Sequence, residues 1–570
     1  MSDSPFLQPR KSTKSIRVMH GIKIIQLLLK RRLRRATTDF LKELSDGSHR
    51  HQVQLSQALA RLIDLHRTAV LFGTTQWEQR VQLPVDNVAA HALVLGASGA
   101  GKSYFALSLL NQLLESPASP RDISVGMLDA KGELFEKAIQ YLYAYLYRLK
   151  PADREAFKKR VVIIDFSNAD VITPYNILAR REDLADELMV ANRIDSLSDQ
   201  FAGLSEMSVR MKMILKYFLL LMAEFDLPLP FFEKLCVDPV LLNALVEQSA
   251  NLQAKDYFLN RFDDESKVTL LALRQRIDAL LISEGVRLSL SASTAPDFTA
   301  LQDNGAIILI NTAGRNITRG ISELLQGLLL SDIKQSVFRR SNPSQQFLWL
   351  LDEAQNLYKS VINREHMTDL LTMARSFGSY FVLLTQSLTS AVRDADNLNS
   401  LLANVRWIVM LRSTLRDAEL IAPGIAVTGA LHKPKHNPFE VAKSMTESEE
   451  LKARQKEITK FPDRLAYCWL KAWVGTAVKI TTPHVPLPHE LAGCPKEEFA
   501  VFVQSEKLGQ GFTRKEIISD IAQREQRLKS LFKRRTNNTS TSDKESSDKK
   551  DSKSLITALE EEYAKRKTFK

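Results

Sequence analysis

His91-Ala-Leu-Val-Leu-Gly96-Ala-Ser-Gly-Ala-Gly-Lys102-Ser103 joins a short apolar run to a loop of small residues that closes on a lysine and a hydroxyl. The run Ala92–Leu95 predicts a buried strand, and the residues from Tyr104 onward predict a helix. Between them, Gly96 to Ser103 is a complete G-x-x-x-x-G-K-S, in the strand–loop–helix setting the motif requires. The loop residues Gly96, Ala97, Ser98, Gly99, Ala100 and Gly101 are small enough for the backbone to wrap a phosphate, so that N–H groups and the helix N-terminus face the anion. Lys102 is placed to reach β- and γ-phosphates, and the Ser103 hydroxyl to ligate Mg²⁺. The stretch therefore predicts binding of ATP or GTP with Mg²⁺.

Outward from this loop, β-rich apolar runs recur at Ser124–Leu128, Val161–Asp165, Ala306–Ile310, Phe347–Leu351, Tyr380–Leu384 and Arg406–Leu411. Several are apolar throughout, as expected of parallel strands covered on both faces. Helical patterns such as Tyr104–Leu114 and Ile321–Val337 separate them, which is the rhythm of a doubly wound α/β sheet. Thr68–Phe72 and Arg80–Leu83 predict a hairpin around Gly73. From Arg181 to Leu290 only helical periodicity is present, so an all-helical insertion is expected there. The predicted organisation is a basic helical arm (1–65), an ATPase domain (66–180 and 295–500), the inserted all-α domain (181–294), a charged helix (501–534), and a disordered linker with a short helical tail (535–570).

The run Phe347-Leu-Trp-Leu-Leu ends in Asp352-Glu353, which places two acids at the carboxyl edge of the sheet beside the phosphate loop. Asp352 is expected to hold the Mg²⁺ water shell and Glu353 to polarise the attacking water. Ala374-Arg375-Ser-Phe-Gly378 then leads into the run at Tyr380–Leu384 and to Thr385-Gln386-Ser387. A glutamine at that strand end suits contact with a γ-phosphate or the lytic water. Arg375, at a helix end before the strand, suits an arginine finger offered to a neighbouring subunit. Both residues have equally ordinary structural readings, a turn cap and a solvated helix arginine.

The chain is strongly basic at one end. Net charge is +12 over 570 residues, but the first 35 residues hold Arg10, Lys11, Lys14, Arg17, Lys23, Lys30, Arg31, Arg32, Arg34 and Arg35 against Asp3 alone. Ile22, Ile25, Leu29 and Leu33 share a helical face there, a pattern that suits an anionic membrane surface or simple packing on the body. Without this arm the body is nearly neutral. Cys236, Cys468 and Cys494 are scattered, which excludes a cysteine zinc site and fits a reducing compartment. No run of about 18 uncharged apolar residues predicts a membrane span, so a cytoplasmic protein is expected, peripheral to a membrane at most.

Taken together the motifs resemble those of the HerA/FtsK superfamily of P-loop ATPases, and most of all the type IV secretion coupling proteins (the VirD4/TraD/TraG group). The resemblance rests on the ordered series His91–Ser103, Asp129-Ala-Lys131-Gly132-Glu133, Asp165…Tyr175-Asn176-Ile-Leu178, Asp352-Glu353, Ala374-Arg375…Gly378…Gln386-Ser387 and Asn404…Leu411-Arg412. It implies a RecA-like P-loop sheet with an inserted all-α domain. It also implies a homo-hexamer with ATP between subunits and Arg375 acting in trans, hydrolysing ATP to move DNA in conjugation or type IV secretion. A relaxosome or secretion-channel protein is an expected partner of the C-terminal tail. Coupling proteins usually carry N-terminal membrane helices and HerA helicases an N-terminal β-barrel; the sequence before Gly96 reads as neither. The same motifs also fit a HerA-like DNA translocase in phage defence or DNA processing, a protein-secretion ATPase, or an ATP-assembled scaffold.

Overall fold

Unbroken apolar runs of four to seven residues bury both faces, and they pair as strands. The computed structural model describes residues 69–115, 123–179, 194–195, 197–201, 207–389, 392, 395–421, 424, 445–471, 477–509 and 511–539. The expectations for the basic arm and for the tail beyond 539 fall outside these. The strands are β1 (Ala69–Thr74), β2 (Arg80–Pro84), β3 (Ala92–Leu95), β4 (Ser124–Asp129), β5 (Val161–Asp165), β6 (Val171–Ile172), β7 (Ile307–Asn311), β8 (Phe347–Leu351), β9 (Ser379–Thr385), β10 (Trp407–Met410), β11 (Leu465–Leu470), β12 (Val478–Thr481) and β13 (Phe512–Thr513). Among the described residues one sheet has eleven strands in the order β2-β1-β12-β11-β10-β3-β9-β8-β4-β7-β5. This is the α/β class read from the sequence.

Its centre, β10-β3-β9-β8-β4, is parallel, and an antiparallel flap β11-β12-β1-β2 extends one side. The hairpin β1–β2 forms as expected, although Gly73 sits at a bulge in β1 rather than in the turn. Every residue of β3, β8, β9 and β10 is buried. Phe347, Trp349, Phe381 and Trp407 are the largest core side chains here, and Phe72 meets Trp407 edge-on at 5.1 Å. Strand β9 lies between β3 and β8 in register: Leu95 opposite Thr385, Leu383 opposite Leu351, and Leu351 opposite Leu128. The residues just past each strand therefore emerge side by side.

The described residues form two compact units. One comprises the described parts of Met1–Val161, Thr299–Leu309 and Ile333–Leu508, the other those of Val162–Phe298, Ile310–Asp332 and Gly509–Lys570. The second contains the helices expected from periodicity, Val209–Glu224, Phe231–Val237, Pro239–Gln248, Leu252–Asn260, Asp264–Leu280 and Glu284–Ser291. Several start on a side-chain cap: Ser208, Asp238, Asn251 and Asp263 each accept a backbone N–H from the first turn. Phe218, Phe232, Phe258 and Phe262 form its aromatic centre. The C-terminal helix Arg514–Thr539 also belongs here. Ile517 and Ile521 pack on Leu288 and Ile172, so this helix is held by an apolar stripe that its high charge hides from a composition-based reading. It also runs five residues into the stretch expected to be disordered from Arg535.

Candidate functional site

The loop after β3 is stitched to its neighbours by backbone bonds. Gly96 N–H donates to the Thr385 carbonyl (3.1 Å), Ala97 N–H to the Arg412 carbonyl (2.6 Å), and Ala100 N–H back to Ala97 (3.2 Å). Gly101 has φ +109°, which L side chains rarely adopt, so the loop needs glycine there. Lys102 opens the helix Lys102–Glu115. Its buried Nζ donates to the carbonyls of Gly96 (2.6 Å) and Ala97 (3.2 Å). Burial lowers its pKa, against the pull of Glu353 and Asp352, with Lys131 adding to the lowering. The phosphate-loop lysine and the acid pair, some 250 positions apart in sequence, thus act on one another at one sheet edge.

Three acids meet at that edge, and their surroundings give them different tasks. Asp129, fully buried at the end of β4, accepts the N–H of Lys131 (2.7 Å) and of Phe135 (2.8 Å), which fixes the turn into the helix Glu133–Arg148. Glu353 is held by three donors: Lys131 Nζ at 2.5 Å and Gln386 Nε2 at 2.8 Å on Oε1, and Gln355 Nε2 on Oε2. Burial works to raise its pKa, but these donors outweigh it and keep the carboxyl below the usual glutamate range. Asp352 lacks such support. Burial first, then the neighbouring Asp129 and Glu353, push its carboxyl up to about 7, offset by the Glu353 backbone N–H and by Lys102.

A buried carboxylate with one backbone donor and two acids beside it favours a cation. Mg²⁺ in nucleotide sites takes one or two protein ligands plus phosphates and water. The Ser103 hydroxyl and Asp352 fit that donor set; the three acids of this edge are not placed to hold a metal ion as a group.

Lys102, Asp352, Glu353 and Gln386 are brought together. Arg375 is not among them. It is exposed on a short 3-10 turn, Ala374–Phe377, before β9, at the edge where the parallel strands enter rather than leave. Asn176, in the second unit, makes a turn, its Oδ1 accepting Leu178 N–H at 2.9 Å. Two partners of Glu353 carried weaker sequence signals. Lys131 stands in a D-A-K-G-E string whose role the sequence leaves open between positioning nucleotide-site loops and lining a channel, and Gln355 is an ordinary glutamine two residues past the acid pair.

Comparison with solved structures finds the plasmid coupling protein TrwB in complex with a non-hydrolysable GTP analogue, at 16% identity over 73% of this chain and 90% of that one, TM-score 0.44. VirB4 of Thermoanaerobacter pseudethanolicus is 13% identical over 74% of this chain and 98% of that one, TM-score 0.46. The pCW3 conjugation coupling protein TcpA with ATPγS is 12% identical over 75% and 70%, TM-score 0.26. No curated protein sequence matches the chain. Residues 70–220 match the family model described as the central domain of helicase HerA. The similarity to HerA/FtsK-type P-loop ATPases read from the motifs therefore stands, carried by that match and by the loop and acids the fold brings together.

Proposed function

We propose that the chain is an ATPase motor of the conjugation and type IV secretion kind, and that its track is DNA. The observation that carries the ATPase reading is the meeting of Lys102, Asp352, Glu353 and Gln386 at the exit edge of one parallel sheet. In this reading the loop amides and Lys102 bind the triphosphate, Lys102 trading its two carbonyl partners for phosphate oxygens. Ser103 and Asp352 would hold Mg²⁺, which when bound offsets charge on the β- and γ-phosphates. Glu353, held ionised and oriented by Lys131, Gln386 and Gln355, positions the water that attacks the γ-phosphorus and takes its proton as the bridging P–O bond breaks. Gln386 touches Glu353 and ends the strand next to the phosphate loop, so its amide is suited to sense the γ-phosphate. Arg375, at the other sheet edge, serves this reaction only in an assembly, as a cation offered to a neighbouring copy's nucleotide.

The DNA track draws support from the HerA model match and the motif series. It is tested by ATPase rate with and without single- and double-stranded DNA across a salt series. Stimulation that fades steeply with salt is expected, because phosphate contacts release counterions. The near-neutral body outside the basic arm favours a second reading, a motor that moves protein; ATPase activity indifferent to both DNAs would select it.

A further inference from the structure

We propose that the chain carries a second anion site, a pocket for a small phosphate-bearing ligand, at the entry edge of the parallel sheet between His91, Arg375 and Arg406. A cavity of about 470 Å³ opens there, lined by these three with Asn87, Gln346 and Asn404 among others, and no carboxylate among the described residues lines it. That volume lies within the range of small-molecule pockets and exceeds what one phosphate needs.

The register builds the pocket. Trp407 lies opposite Ala92, and Ala92 opposite Val382, so the residues just before β10 and β3 become neighbours. Arg406 N–H donates to the His91 carbonyl at 2.8 Å. His91 itself is 4% exposed and stacks on Phe381. Its Nδ1 accepts the Phe381 N–H at 3.1 Å, which puts the proton of the neutral ring on Nε2. That Nε2 is buried without a partner, as is Oε1 of Gln346. Neither Arg375 nor Arg406 is in an ion pair among the described residues.

A buried donor lacking an acceptor is costly, and two guanidinium groups outside any ion pair stand beside it. An oxyanion supplies what is missing, because guanidinium forks match phosphate oxygens and neutral amides can bind the rest. The electrostatics agree. Burial, then Arg375 and Arg406, lower the His91 pKa to about 4, and a bound anion would relieve that repulsion. This pocket is separate from the phosphate loop. His91 and Gly96 stand at opposite ends of β3, roughly 16 Å apart at about 3.3 Å per residue.

The test uses the full chain with the phosphate loop filled by ADP and Mg²⁺, titrated calorimetrically with inorganic phosphate and with AMP. Saturable binding is expected, weakened about tenfold or more by Arg406→Gln or Arg375→Gln and partly restored by Arg375→Lys. Arg375 is exposed, so its replacement leaves the fold intact and keeps the result interpretable. Absence of binding at millimolar phosphate, or binding that both glutamine variants leave unchanged, overturns the site. Displacement of phosphate by a short oligothymidylate would also overturn the small-ligand assignment, giving the pocket to nucleic acid instead.

Discussion

Glu353 adopts φ +50°, a left-handed conformation that non-glycine residues seldom take. The conformation holds because Lys131, Gln386 and Gln355 grip its carboxylate from the ends of three different segments. Glu353→Gln keeps the shape but can neither accept a proton nor pair with Lys131. Nucleotide binding is expected to persist while turnover falls by about 10² or more, measured as kcat beside the Kd for an ATP analogue. A kcat within about threefold of the parent would remove Glu353 from the base role. His91 gives a second residue-scale expectation. Its folded pKa of about 4 lies below the ordinary value of 6.5, so its contribution to stability is complete above pH 6.5 and is lost as pH falls toward 4. The groups facing it are Arg375, Arg406 and Tyr380. Between pH 7.5 and 5 the parent should lose about 2 kcal/mol that His91→Gln does not lose, read from denaturant unfolding at both pH values.

Pairing of particular strands depends on side chains that a run of apolar letters does not rank. Gly126 of β4 lies opposite Trp349 of β8, and a Cβ added at Gly126 would fall 2.4 Å from the indole ring. The missing side chain is the space the tryptophan occupies. Gly126→Ala should destabilise the protein by about 1–3 kcal/mol through overpacking, seen as a lowered Tm, with partial recovery in the double variant Gly126→Ala, Trp349→Leu. Additive losses in that pair would count against the contact as the cause. At this scale the sequence was most readable in the parallel strands. Runs such as Leu348–Leu351 and Val382–Leu384 are buried on both faces, and continuous apolarity reports that directly. The Arg514–Thr539 helix was less readable, because among its described side chains the buried apolar ones are Ile517, Ile521 and Leu528, set in a long charged length in which Arg524 and Glu525 are buried too.

In the whole molecule, Arg375 and the nucleotide loop lie at opposite edges of one sheet, so an intramolecular role for this arginine in hydrolysis is ruled out by the strand direction alone. If copies assemble with the entry edge of one against the exit edge of the next, the two defects complement. Mixing inactive Lys102→Ala with Arg375→Ala protein should then restore a measurable part of the ATPase rate, since some interfaces receive an intact loop and an intact arginine. No activity above the sum of the separate variants would leave Arg375 to the pocket it lines in its own chain.

The sequence by itself determined the phosphate loop, the acid pair, the α/β class and the helical segment. Each is local: small residues before a lysine, acids ending an apolar run, and helical periodicity are written in neighbouring positions. Only the tertiary structure decided that Lys131 and Gln386 share Glu353 and that His91 and Arg406 meet across the far edge. Those relations depend on which strands lie side by side and in what register. That choice is made by packing between residues hundreds of positions apart, and no local pattern encodes it.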